Sequence, residues 1–99
     1  MRLTSSGRLT IRDTVRTVVG AGARVRLFGS RTDDSARGGD IDLLVELDYA
    51  VERPVVVSAR IGARLQSAWG DRRIDVLLLA PNVTEQVVHR LARATGVDV

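Results

Sequence analysis

Apolar residues recur along this chain with two different periods, and the switches between them mark six elements. Over residues 40–48 the period is two. Ile41, Leu43, Val45 and Leu47 alternate with Asp40, Asp42 and Glu46, which predicts a strand with one buried face and one acidic face. Residues 23–29 read as an earlier strand, with Val25 and Leu27 pointing one way and Arg24, Arg26 and Phe28 the other. Residues 72–80 read as a third, with Ile74, Val76 and Leu78 on one face and Asp75 and Leu77 on the opposite one. Elsewhere the period is helical. Ile11, Val15, Val18 and Val19 predict a helix over residues 10–22, with Thr10 and Asp13 as its capping box and Gly20 and Gly22 as its stop. Pro54 suits a first helical turn, and Val57, Ile61, Leu65 and Ala68 carry that helix to Trp69. Gly62 within it costs about 1 kcal/mol against Ala. A last helix is marked by Val83, Val87, Leu91 and Thr95, capped by Asn82 with Glu85 and stopped by Gly96. Residues 1–9 show no firm period, and residues 30–39 form a loop rich in Asp, Ser, Arg and Gly.

The resulting order, α-β-β-α-β-α, predicts an α/β (α+β) fold of two layers: a short mixed sheet covered on one face by helices, in a single domain over residues 1–99. The apolar strand faces meet the helices. The other face carries Asp40, Asp42 and Asp75, and it calls for water and metal or for a partner.

Composition narrows the function. A chain of 99 residues, 44% apolar and 27% charged, is an ordinary soluble domain with a modest core. It has no Cys, which removes disulfide, zinc–thiolate and thiol-nucleophile chemistry. No basic-apolar leader is present and no apolar run approaches the ~20 residues of a bilayer span, so a cytoplasmic setting is expected. All 15 Lys/Arg residues are Arg, which excludes a P-loop or Schiff-base lysine. The net charge of +3 is spread along the chain, and the aromatics are Phe28, Tyr49 and Trp69 alone. That pattern argues for biased composition over direct nucleic-acid binding.

One constellation carries chemistry. A Gly29–Ser30 pair ends the first strand, an Asp40-x-Asp42 pair opens the second, and Asp75 lies in the third. Carboxylates converging on one sheet face repel each other, and a bound cation removes the conflict. Mg²⁺ favours hard oxygen ligands and keeps substrate phosphates in its shell. Two such ions can brace the attacking and leaving oxygens of an in-line displacement. Asp40 and Asp42 suit bridging both ions, and Asp75 suits the ion beside an acceptor hydroxyl and the acceptance of its proton. Gly29 lets the backbone approach a phosphate, and Ser30 with Arg31 and Arg37 can hold the outer phosphates. Each piece alone is weak, since Gly-Ser turns and charged edge strands are common. His89, late in the last helix, is placed there for the helix dipole rather than for catalysis.

The stretch Leu-Phe-Gly-Ser-Arg at residues 27–31, followed by Gly-Asp-Ile-Asp-Leu-Leu-Val at residues 39–45, resembles the signature of the minimal nucleotidyltransferases of the DNA polymerase beta superfamily. Arg-Ile-Asp-Val at residues 73–76 matches the position of that family's third carboxylate, and the closing Ala-Thr-Gly-Val-Asp-Val is similar to its helix end and tail. The resemblance implies Mg²⁺-dependent transfer of a nucleoside monophosphate from a triphosphate, ATP above all, with release of pyrophosphate. By matching position, Gly29, Ser30 and Arg31 would take the nucleotide, and Asp40, Asp42 and Asp75 the metals. Such proteins are often paired with a helical HEPN-domain ribonuclease toxin, which the transferase neutralises as a type VII-like antitoxin by adenylylating a tyrosine. Nine residues separate Ser30 from Asp40, one fewer than is common among these antitoxins.

Two further functions compete. A non-catalytic antitoxin would neutralise its partner by complex formation alone. A small-molecule nucleotidyltransferase usually adds a helical substrate-binding domain, for which 99 residues leave no room. The small core and acidic face favour some partner, and self-association is compatible with both. The acceptor and the preferred base are left open, as are the roles of Arg37, Arg72, Arg73 and His89.

Overall fold

The structure is a computed structural model and describes residues 4–28, 41–70 and 73–99. Three helices and four strands follow in the order α1 (Ser5–Val19), β1 (Arg24–Phe28), β2 (Ile41–Glu46), α2 (Pro54–Trp69), β3 (Ile74–Leu79), α3 (Val87–Thr95) and β4 (Val97–Asp98). The strands form one mixed sheet in the order β3-β2-β1-β4. β1 runs antiparallel to β2 and β4, and β2 runs parallel to β3. The two-layer α+β class expected from the periodicity is the one observed.

β2 is central because it is the most apolar. Ile41, Leu43 and Val45 are buried as the alternation predicts, and Leu47 just beyond the strand joins them. They meet Ile11 and Val15 of α1, Ile61 and Leu65 of α2, and Leu27 and Leu78 of the flanking strands in one cluster. Each such side chain, fully buried, contributes roughly 1.5–3 kcal/mol. Leu44 departs from the pattern: it points to the opposite face and is still wholly buried.

The helix boundaries correct three expectations. α1 begins at Ser5, with Thr4 as its N-cap accepting a 3.0 Å hydrogen bond from the Gly7 N–H. Thr10 lies mid-helix and donates to the Ser6 carbonyl, so it caps nothing. The first turns of α1 carry little apolar pattern because they face solvent; Leu9 is 57% exposed. In α2, Trp69 packs on the core where Ala68 was expected; Ala68 is exposed.

α3 is the largest correction. It starts at Val87, with Gln86 as N-cap. Asn82 is engaged elsewhere: its side-chain amide bonds both the N–H and the carbonyl of Val51, pinning the turn after β3 to the segment before α2. Of the expected buried stripe, Val87 and Leu91 are exposed, and the residues facing inward are His89 and Ala92. His89 accepts from the Gln86 N–H at Nδ1, 2.9 Å, which leaves Nε2 to donate to the Leu78 carbonyl at 3.2 Å. A polar residue occupies this buried slot because both ring nitrogens find partners there.

β4 was not foreseen as a strand. Its two residues pair with Arg26 and Leu27, and the Val99 N–H extends the ladder to the Val25 carbonyl. Arg8 and Arg12 of α1 reach the carbonyls of Asp98 and Val99. Gly96 sits where a Cβ would lie 2.5 Å from the Ala92 carbonyl and 3.3 Å from that of Leu27. Gly62, by contrast, faces only Val76, at an ordinary 3.9 Å.

Substituting the two glycines by Ala is therefore expected to act with opposite signs. Gly96→Ala forces backbone apart and lowers stability by about 1–3 kcal/mol. Gly62→Ala removes a helix-interior glycine at no steric cost and raises it by up to about 1 kcal/mol. Urea unfolding of the two variants beside the parent checks both signs.

Candidate functional site

The register of the sheet sets the geometry. Phe28 is opposite Asp42 on β2, and Asp42 is opposite Asp75 on β3. Residues in register on neighbouring parallel strands project to the same face, with backbones about 4.8 Å apart. Asp42 and Asp75 therefore stand side by side, on the face turned away from the core of α1 and α2. The expected meeting of the second and third strands' carboxylates is what the pairing produces. Asp42 is half-buried, and the Asp75 side chain is 55% exposed. Arg73 reaches Asp75 at 3.6 Å, with its own side chain largely in solvent. Such an exposed pair is worth little in stability, but it places a cation beside the two acids.

The same face continues in two further rows. Arg26 lies opposite Leu44, and Arg24 opposite Glu46. α3 closes this far end. Leu44 and Ala92 are both fully buried, and neither belongs to the cluster beneath α1 and α2. Glu46, grouped by alternation with the site acids, is committed to holding α3. It pairs with Arg26 at 3.5 Å and with Arg93 at 3.3 Å. Arg26 Nη1 donates to the Arg93 carbonyl, and Arg93 also meets Glu85 at 2.6 Å. Arg26 Nε and Glu46 Oε1 are buried and meet only at that long 3.5 Å distance, with Asp98 Oδ1 a further 3.7 Å neighbour of Arg26 Nε. A hydrogen bond of 3.5 Å is weak, so the join is ionic and is braced by Arg93. The helix layer of α1 and α2 thus covers one face of the sheet, and α3 covers the end of the other. The acidic row at residues 42 and 75 is left outside that cover.

Gly29, Ser30, Arg31 and Asp40, expected at the site, and Arg37 and Arg72 lie outside the described residues. In sequence, Gly29 follows directly on Phe28 and Asp40 directly precedes Ile41. Among the described residues no group of three or more His, Cys, Asp or Glu gathers about one point. Two of the three expected aspartates are described, and they are neighbours. Their hard, anionic oxygens fit a divalent cation of the Mg²⁺ kind better than any softer metal. His89 adds nothing to such a site, since both of its nitrogens are used in the fold.

Sequence reasoning missed the Glu46–Arg26–Arg93 join. A signal for it existed, because Arg26 and Glu46 were both assigned to the polar face. Their meeting required the register, and Arg93 required knowing which way α3 turns. Trp69 is a packing residue as expected and lies against the core, whereas Tyr49 is exposed and is tied down by its hydroxyl, which donates to the Val19 carbonyl. Among the described residues, no helix is long and apolar enough to cross a membrane.

No family model matches the chain, and no curated protein matches it.

Facing carboxylates make a sharp test. Asp75→Asn removes one of two like charges and costs only an exposed ion pair, so without metal its stability is expected to equal the parent's or exceed it by about 0.2–1 kcal/mol. If the pair holds a cation, millimolar Mg²⁺ is expected to raise the parent's melting temperature and to leave that of Asp75→Asn unmoved. Thermal unfolding of both proteins with and without MgCl₂ decides; an equal shift in both would show that the cation binds elsewhere.

Proposed function

We propose that the chain is a Mg²⁺-dependent nucleotidyltransferase that moves AMP from ATP to a hydroxyl. The observation that carries this reading is the in-register pair Asp42–Asp75 on the part of the sheet that α3 leaves open. An open acidic row has little structural purpose in so small a domain, since two adjacent like charges oppose folding. It gains one if a cation and a polyphosphate are to be held there.

The residues take roles as follows. Asp42, with Asp40 two positions before it, binds the cation, and Gly29, Ser30 and Arg31 bind the triphosphate. When bound, Mg²⁺ would supply charge neutralisation for the phosphates and the aspartates together. Asp75 receives the acceptor's hydroxyl proton as that oxygen bonds to the α-phosphorus and the bond to pyrophosphate breaks. Its exposure suits a group that must meet an acceptor arriving from outside. The resemblance to minimal nucleotidyltransferases supports the same assignment. It also suggests the acceptor, a tyrosine of a HEPN-domain toxin, and with it an antitoxin role in the cytoplasm, where ATP and Mg²⁺ are at hand.

A second reading has its own support. Val87, Val88 and Leu91 line the outward side of α3, exposed by 70%, 43% and 59%. An apolar outward stripe on a short helix suits a docking module that neutralises its partner by complex formation alone.

Incubation with α-labelled ATP, Mg²⁺ and the product of the neighbouring gene separates the two. The transferase is expected to label that protein, and Asp42→Asn is expected to lower the labelling by at least about a hundredfold. A stable, unlabelled complex that forms equally well with Asp42→Asn would sink the transferase in favour of the docking module.

A further inference from the structure

The two edges of the sheet are not alike. β4 closes one side of β1, but among the described residues no strand lies outside β3. Pairing with β2 uses alternate residues of β3: the Arg73 carbonyl accepts from the Ile41 N–H, and the Leu79 carbonyl accepts from the Leu47 N–H, both at 2.8 Å. The backbone groups of Ile74, Val76 and Leu78 therefore point outward. His89 Nε2 takes the Leu78 carbonyl, so α3 blocks the far end of this edge. Among the described residues, what is left unpaired by any strand is the stretch holding Ile74 and Val76, with an N–H and a carbonyl on each, and Asp75 lies between them.

An open groove of about 460 Å³ runs along the same stretch. Its walls include Val55, Ala59 and Ala63 of α2 and residues 74–76 of β3. Asp75 is thus shared: the residue that carries half of the acidic row also lines the groove, between Ile74 and Val76. We infer that this edge docks the acceptor as an extended protein segment, paired with Ile74 and Val76 as a fifth strand.

Two independent features select this occupant. A row of outward N–H and carbonyl groups is matched by another backbone in extended form, and this is how peptides add to exposed sheet edges. The alternation of a strand then sorts the guest's side chains. Residues on one side fall into the groove against Val55, Ala59 and Ala63, which selects small or apolar types. The residue between them falls on the opposite side, beside Asp75 and one strand from Asp42, and there a serine, threonine or tyrosine hydroxyl would meet the site. Arg73, 73% exposed and on the same side as Asp75, selects an acidic residue two positions from that hydroxyl. The guest is therefore a hydroxyl residue flanked by apolar ones with an acid nearby. The hydroxyl chemistry rests on the proposed transferase activity; the pairing rests on β3 alone.

The test uses the full chain and short peptides with Tyr, Thr or Ser between two Val and a Glu two residues from the hydroxyl. Binding is expected to slow hydrogen exchange at the Ile74 and Val76 amides specifically. Ala59→Trp fills the groove, and Ala63→Glu sets a charge against the apolar side chains that the guest lays into it. Each is expected to weaken peptide affinity by about tenfold or more while MgATP affinity stays within about twofold. Failure of every peptide to bind, protection elsewhere than at Ile74 and Val76, or undiminished peptide binding by both folded variants would overturn the inference. If instead MgATP does not bind the parent while the peptides still protect those amides, the transferase reading falls and the docking edge stands.

Discussion

The pairing of β2 with β3 is the constraint on which everything else in this domain rests. It is parallel, and its register sets Ile41 beside Ile74, Leu43 beside Val76 and Val45 beside Leu78 on the core side. The same register sets Asp42 beside Asp75 on the other. A slip of one residue would invert β3, sending Asp75 toward Ile61 and Leu65 and exposing Val76 and Leu78. Burying an unpaired carboxylate is far more costly than the mutual repulsion of two half-exposed ones. The fold therefore accepts the acidic row as the lesser penalty. The hydrophobic register and the site geometry are one fact seen from two faces.

The second face is held by charge where the first is held by apolar contact. α3 has a single fully buried residue, Ala92, so its docking cannot depend on side-chain burial as that of α1 and α2 does. It depends on Glu46 between Arg26 and Arg93, and on the His89 bridge to β3. Removing one member of a mostly desolvated set strands the charge of the others, which makes such joins specific even where their net contribution is small. Gly96 permits the chain to leave α3 hard against β1, so that β4 can pair at once.

Much of this was legible in the sequence because it depends on period alone. The buried residues of β2, the paired faces of β1 and β3 and the cores of α1 and α2 follow from spacings of two and about 3.6. The placement of Asp42 and Asp75 on one face was legible as well, since both fall off the apolar phase of otherwise apolar strands. What stayed hidden depends on partners distant in sequence. α3 carries Val87, Val88 and Leu91 at helical spacing, which periodicity reads as a buried stripe. The side that turns inward was decided instead by His89 finding Gln86 and Leu78, and by Arg93 finding Glu46. Thr10 looked like a cap because its neighbours suit one; Thr4 took the role because the solvent-facing turns before Ile11 have no apolar pattern to announce them. Leu44 looked exposed because alternation cannot foresee a helix laid on the second face.

α3 also links the two halves of the site. By taking the Leu78 carbonyl, His89 limits the free edge of β3 to the residues on either side of Asp75. By covering Leu44, the same helix limits the open face to the row of Asp42 and Asp75. One element thus trims both a long exposed edge, which would invite indiscriminate pairing, and a broad polar face. What remains of each meets at a single residue. For the proposed cation and the proposed guest strand, an aspartate in the middle of the sheet would be near the one but out of reach of the other's backbone, and one beyond the sheet would lack a partner carboxylate. Asp75, on the edge strand and in register with Asp42, satisfies both conditions. On the proposed reading, that placement accounts for why this acid is carried by the edge strand of the described sheet.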